Sequence, residues 1–173
     1  SGKKEGDFCG LYRTNAMSRI MEETLLKSNI PYKMVGGHKF YDRKEIRDIL
    51  AYLNVISNEM DSLSFERIVN VPKRGIGPGT VQKLRDFATI HEWSLLQAAI
   101  DVDLTGISGK ARNELAGFGA MMEDFKQMIP FLSVTELVEQ VLDKSDYKED
   151  LRRQNTLEAH SRLENLDEFL TVT

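Results

Sequence analysis

The sequence predicts a mainly α-helical domain preceded by a short βαβ segment of a larger α/β domain. Three observations carry this prediction. From Asp42 onward the apolar residues recur at helical spacing. Only two strand-like apolar runs occur, both before residue 36 and separated by one helix. The helical part is interrupted by a proline- and glycine-rich turn, Val71-Pro72-Lys73-Arg74-Gly75-Ile76-Gly77-Pro78-Gly79.

Residues 8–12 form a mostly apolar run that reads as a buried strand. Residues 15–28 follow with Ile20, Thr24 and Leu25 at helical spacing, Thr14 or Asn15 as the cap, and Asn29 before Pro31 as the stop. Residues 32–35 read as a second strand before Gly36-Gly37. A strand–helix–strand unit makes its two strands parallel neighbours in one sheet. Two strands alone are marginal in water, and no later strand completes them. Residues 1–35 are therefore expected to belong to a domain whose remainder lies elsewhere.

In the helical part, Asp42 and Glu45 form a capping-box pattern, and Ile46, Ile49, Leu50, Leu53 and Ile56 make one apolar stripe. A second helix over about residues 64–70 leads into the turn, and a third runs from Pro78 to about His91 with Val81, Leu84 and Ala88 on one face. Ser94, with Gln97 three residues on, starts a short helix to residue 99. Residues 110–128 form a longer one, with Leu115, Phe118, Met122 and Phe125 inward and Gly117 and Gly119 weakening it. Ser133 and Glu136 are a capping box ahead of Val134, Leu137, Val138, Val141 and Leu142. The last helix is expected to begin near Asn155, with Glu158 at the capping-box position and Ala159, Leu163, Leu166, Phe169 and Leu170 inward. Its stripe still runs near the final residues, so the natural protein is expected to continue.

The turn itself is hard to explain by packing. Pro72 biases Val71 away from helix, Gly75 and Gly77 permit positive φ and close backbone approach, and Pro78 suits the first turn of a new helix. The first amides of that helix lack helical carbonyl partners and sit at the positive end of its dipole, which makes an anion site. Lys73 and Arg74 before the turn, with Thr80, Lys83 and Arg85 after it, add a hydroxyl and full charges. The combination resembles a helix-hairpin-helix, which grips nucleic-acid backbone without reading bases. An ordinary glycine-rich helix–helix turn with solvated lysines accounts for the same glycines. Gly106-Ile107-Ser108-Gly109, ending at Leu115, echoes Gly75-Ile76-Gly77-Pro78, ending at Leu84, at a constant offset of 31. With Ser108 in place of a glycine and only Lys110 and Arg112 nearby, it reads as a structural turn.

Composition narrows the function classes. At 173 residues, 41% apolar and 29% charged, the chain has the make-up of a soluble globular protein with a proper core. A net charge of −4 excludes a wholly basic nucleic-acid binder, so any such contact comes from a local patch. One cysteine, Cys9, excludes an internal disulfide and fits a reducing compartment. No apolar run reaches the roughly 18 to 20 residues that span a membrane and no signal peptide opens the chain, so a cytoplasmic location without membrane contact is expected.

No catalytic residue or metal site is predicted. Gly109-Lys110 lacks the rest of a P-loop, because Leu104 stands at its first glycine and Ala111 at its Ser or Thr. Asp167-Glu168 lies on an amphipathic helix and reads as a solvated pair. His38, His91 and His160 are scattered, while Trp93 and the methionines read as core.

Three further segments complete a pattern. Leu11-Tyr12-Arg13-Thr14-Asn15-Ala16-Met17-Ser18-Arg19 followed by Glu22-Glu23, the run from Gly36-Gly37-His38 through Phe40-Tyr41-Asp42 to Ala51-Tyr52-Leu53, and Ser161-Arg162-Leu163-Glu164-Asn165-Leu166 resemble motifs of the superfamily 1 DNA helicases of the PcrA, UvrD and Rep group. Asn70-Val71-Pro72-Lys73-Arg74-Gly75-Ile76-Gly77 resembles the same group's duplex-contacting hairpin, and order and spacing agree over nearly the whole chain. The resemblance implies part of an ATP-dependent 3′ to 5′ helicase. Residues 1–35 would belong to the RecA-like motor domain 2A and residues 36–173 to the helical domain 2B, truncated at its end. Carried over by motif, Lys73, Arg74, Gly75, Ile76 and Gly77 are the duplex-contact residues, with Thr80 and Lys83 beside them, and Arg13 and Asn15 the single-strand contacts. Cys9-Gly10 departs from the group's apolar pattern. ATP and magnesium would serve the intact helicase and no cofactor this segment. The implied partners are duplex and single-stranded DNA, the remaining helicase domains, and repair or replication proteins. The acidic balance equally suits a regulatory or protein-docking domain with little direct DNA binding.

Overall fold

The structure is a computed structural model that describes residues 40–173. The expected strands, the helix between them, Arg13, Asn15, Cys9 and the domain boundary after residue 35 lie outside the described residues. Those described are helical throughout, with no strand among them.

Helix α1 (Lys44–Ser57) is the central element, packed against α2 (Ser62–Ile68), α5 (Gly109–Met128), α6 (Val134–Lys144) and α8 (Leu157–Thr171). Contact on several sides explains why Tyr52 and Val55 are as buried as the predicted stripe of Ile46, Ile49, Leu53 and Ile56, while Leu50 is half-buried. Fully burying one such aliphatic side chain contributes about 1.5–3 kcal/mol. The rest of the chain fills in around α1. Helices α3 (Pro78–His91) and α4 (Leu95–Ile100) and a 3-10 turn (Val102–Leu104) lead to α5, and α7 (Tyr147–Gln154) packs between α6 and α8.

The capping signals divide into those obeyed and those overridden. Ser133 and Glu136 form the predicted reciprocal capping box, and Ser94 accepts from the Gln97 amide at 2.9 Å. Asp42 and Glu45 do not. Arg43 is the N-cap of α1, without a side-chain cap bond, and Glu45 is buried instead, accepting from Asn165 Nδ2 at 2.7 Å with Arg162 Nε at 3.7 Å. Tertiary pairing to α8 outcompetes the local cap. The last helix starts at Leu157 with Thr156 as cap, because Asn155 is taken as the left-handed C-cap (φ 48°) of α7. The sequence reading gives no helix at α7. Its segment Tyr-Lys-Glu-Asp-Leu-Arg-Arg-Gln buries only Tyr147 and Leu151, a two-residue signal too short to show a period.

Glycine and methionine also differ from expectation. Gly119 does not merely weaken α5: a Cβ there would lie 3.1 Å from the Ile100 backbone nitrogen, so the close approach of α5 to the end of α4 requires it. Met60 is 59% exposed rather than core, and Trp93 is half-buried in an aromatic group with Phe87 and His91.

A second buried carboxylate ties α1 to its neighbours. Asp48 accepts from Lys44 Nζ at 2.8 Å, Arg67 Nε at 2.9 Å and Tyr147 Oη at 2.6 Å. Burial, followed by the Asp48 charge, pushes the Tyr147 phenol well above its usual range, so it stays protonated and donates. Removing one partner of such a buried charge costs about 3–5 kcal/mol. No helix among the described residues is long and apolar enough to cross a membrane.

Candidate nucleic-acid interface

Residues 69–77 connect α2 to α3, and their backbone path is set by three local devices. Gly75 has φ +81°, a left-handed conformation that L side chains rarely adopt. Ile76 is buried and anchors the turn in the core. Asn70 Oδ1 accepts from the Arg74 and Ile76 amides at 2.6 and 3.2 Å, which closes the loop on itself. Gly77 then caps α3 in extended conformation (φ −86°, ψ 175°), with Pro78 as the first helical residue. This corrects the expectation for Gly77: it needs no positive φ, and a Cβ there would meet nothing within 4 Å. The first helical bond runs from Val81 N to Gly77 O, so the Gly79 and Thr80 amides precede the α3 ladder.

The positive side chains fall into three groups. Arg74 is turned inward, contrary to its expected presentation to a ligand. Its Nη1 donates to the Ile68 and Val69 carbonyls at 2.8 and 3.1 Å, its Nη2 to Tyr52 Oη at 2.7 Å, and its guanidinium lies 4.7 Å from the Phe118 ring centroid. Tyr52 Oη in turn donates to Val71 O at 2.6 Å. Burial raises the Tyr52 pKa, with Arg74 acting in the opposite direction. Arg85 is neutralised by Glu66 through two bonds of 2.9 and 2.7 Å. Lys73 and Lys83 are exposed, with no acidic partner within salt-bridge distance among the described residues. Thr80 is half-exposed beside them.

The echo at residues 106–109 reproduces the first turn at three positions and departs at the fourth, where Gly109 has φ +74° and stands opposite Pro78, whose ring forbids a positive φ. Gly106 has φ +82°, Ile107 is buried, Ser108 caps α5 in extended conformation, and Leu115 is buried as Leu84 is. Thr105 Oγ1 accepts from the Ile107 amide at 3.2 Å, the role that Asn70 plays for Ile76. The two turns meet. Lys110 Nζ lies 3.0 Å from where a Cβ of Gly75 would stand, and Lys110 is 70% exposed with Glu114 3.8 Å away. Arg112, by contrast, is held by Asp103 at 2.7 and 2.9 Å. Sequence reasoning missed Tyr52 as part of this region and gave Asn70, the first residue of the hairpin motif, no role of its own. It named Lys110 only as a flank of the second turn.

The described residues contain no cluster of His, Cys, Asp and Glu suited to a metal. Asp167-Glu168 is exposed as predicted, with Asp167 accepting from Lys148 at 3.2 Å.

The described residues form a helical domain whose glycine loop carries the exposed Lys73, and over residues 1–173 the chain matches the UvrD-like helicase C-terminal domain, the family to which it belongs. It is 54% identical over 171 residues to the ATP-dependent DNA helicase PcrA of Bacillus subtilis, covering 99% of this chain and 23% of that protein. The proteins of the same name from Staphylococcus epidermidis and Staphylococcus aureus are 51% and 50% identical over 172 residues, again 99% of this chain and 24% of theirs. The chain thus spans about a quarter of the length of these relatives.

Proposed function

We propose that this chain grips the backbone of duplex DNA through the loop 69–77, as the accessory domain of an ATP-dependent 3′ to 5′ DNA helicase. The observation that carries the reading is the meeting of the two glycine turns, which sets the Lys110 ammonium over Gly75, two residues after the exposed Lys73, while the neighbouring arginines are neutralised or turned inward. In this reading α2, the loop and α3 act as a helix-hairpin-helix. The Gly79 and Thr80 amides at the positive end of the α3 dipole receive a phosphate, the Thr80 hydroxyl adds a donor, and Gly75 and Gly77 let the strand approach. Lys73, Lys83 and Lys110 neutralise the flanking charges. Ile76 serves from the core and Arg74 from inside the loop. Contacts of this kind position a duplex without reading its sequence.

The name shared by the relatives, ATP-dependent DNA helicase, supports the wider assignment. Residues 1–35 are then the βαβ remnant of the RecA-like 2A domain, with Arg13 and Asn15 on the single strand, and residues 36–173 are domain 2B. ATP and magnesium act in the intact enzyme, in its other domains. Those domains are the immediate partners, and repair or replication proteins the further ones.

The test is an anisotropy titration of the 173-residue chain against blunt duplexes of different sequence, with ATP turnover measured alongside. Duplex binding that ignores sequence and weakens in Lys73→Ala and Lys110→Ala, with no ATP turnover, is the expected result. DNA-stimulated turnover by the chain contradicts it. A docking role has its own observation, the exposure of Leu63 at 84%, Ile90 at 76% and Phe131 at 82%. Duplex binding unchanged in both lysine variants, together with capture of a partner protein lost on replacing those apolar residues, favours that role.

A further inference from the structure

We propose that Tyr52 and Arg74 are positioning residues for the loop 69–77: they hold the backbone that presents Lys73 and the first amides of α3, and neither touches DNA. The inference rests on the reading of that loop as a duplex contact. Tyr52 is wholly buried on α1, out of reach of any ligand. Its hydroxyl donates to Val71 O at 2.6 Å and accepts from Arg74 Nη2 at 2.7 Å, so it joins the central helix to both arms of the loop. Arg74 Nη1 caps the end of α2 by donating to Ile68 O and Val69 O, while the guanidinium plane covers Phe118 on α5.

A planar fork reaches two carbonyls and a hydroxyl at once; an ammonium, a compact point charge, does not reproduce that geometry. Arginine is therefore required here for its shape as much as its charge. The second turn lacks the device. At residues 105–109 the bracing is local: Thr105 Oγ1 donates to Val102 O at 2.6 Å and accepts from Ile107 N at 3.2 Å, with no hydrogen bond to α1 among the described residues. The brace from the central helix is particular to the loop that carries the unpaired Lys73. One turn before Tyr52, Asp48 joins the same helix to α2 and α7 through Arg67 and Tyr147, so the loop is referenced to the best-packed part of the domain.

The experiment pairs hydrogen exchange with duplex anisotropy in Tyr52→Phe, Arg74→Lys and Lys73→Ala variants of the whole chain. Tyr52→Phe and Arg74→Lys are expected to speed exchange of the Arg74 and Ile76 amides about 10-fold, with protection inside α6 retained. Both are expected to weaken duplex binding about 5-fold or more without changing its salt slope, because no phosphate contact is removed. Lys73→Ala is expected to do the reverse, flattening the slope and leaving exchange unchanged. If Arg74→Lys and Tyr52→Phe exchange and bind as the parent does, Arg74 is only a cation and the proposal is overturned. If Lys73→Ala leaves duplex binding untouched, the DNA role of the loop fails instead, and exchange at the Arg74 and Ile76 amides decides the positioning role by itself.

Discussion

The two glycine turns share their first three backbone positions, part at the fourth, where left-handed Gly109 stands opposite Pro78, and differ in what surrounds them. Gly75 and Gly106 adopt nearly the same φ, +81° and +82°, and each is followed by a buried isoleucine and an extended helix cap. The first turn is braced from the central helix and flanked by exposed Lys73; the second is braced within itself, and its arginine is tied to Asp103. The glycine-isoleucine spelling therefore specifies a turn. In the proposed reading the placement of exposed charge separates a turn that holds a phosphate from one that merely reverses the chain, and Lys110 is the residue through which the second turn joins the first.

The anchors offer the largest test of that equivalence. Ile76→Ala and Ile107→Ala are each expected to cost about 2–5 kcal/mol, measured by urea unfolding, because both remove a buried side chain and leave a cavity. A loss below roughly 0.5 kcal/mol at Ile107 would break the comparison, since surface changes fall in that range. Next in size, Gly75→Ala is expected to destabilise by about 1–2 kcal/mol through its left-handed φ, with Lys110 also forced aside. Gly77→Ala, in extended backbone and open space, should leave the midpoint unchanged or slightly raised. Equal losses at both glycines would show that Gly77 is constrained by something other than its own φ.

Charge gives the smaller effects. Lys73→Ala and Lys110→Ala are each expected to reduce the log–log salt slope of duplex binding by about 0.9, while Arg112→Ala leaves it unchanged because Asp103 already neutralises that guanidinium. The smallest effect belongs to the far end of the α2–α3 unit. There Glu59 accepts from Ser94 Oγ at 2.9 Å and from Lys126 Nζ. Burial works to raise the Glu59 pKa, but the bonds from Lys126 and Ser94 prevail and hold it below its ordinary value of 4.5. Its contribution to stability is then fully present above 4.5 and is lost as pH falls through the lower folded value. Glu59→Gln should flatten the acid side of the stability profile and leave duplex affinity at neutral pH untouched.

Much of the helical domain was legible in the sequence, because α1, α5, α6 and α8 each carry an inward stripe long enough to show its period, while α3, which buries only Leu84 and Ala88, is marked by Pro78 at its start. Helix α7 was not, having two inward residues among charges. Capping chemistry was legible where the side chain keeps its local bond, as at exposed Ser133 and buried Ser94, and misleading where a tertiary partner takes its place, as at Glu45. At the candidate site the sequence announced the glycines and lysines by type and order. It gave no sign that Arg74 turns inward or that Tyr52, some 22 residues earlier, meets it, because that pairing depends on how α1 packs against the loop.

The central claim, that exposed lysines around the first turn hold backbone phosphate, is tested most directly by the salt dependence of duplex binding. With about three phosphates neutralised, the account predicts a log–log slope near −2.7, so affinity should fall on the order of 40-fold between 50 and 200 mM salt for any duplex sequence. A slope indistinguishable from zero, or one that stays at that value when Lys73, Lys83 and Lys110 are all replaced by alanine, would contradict it.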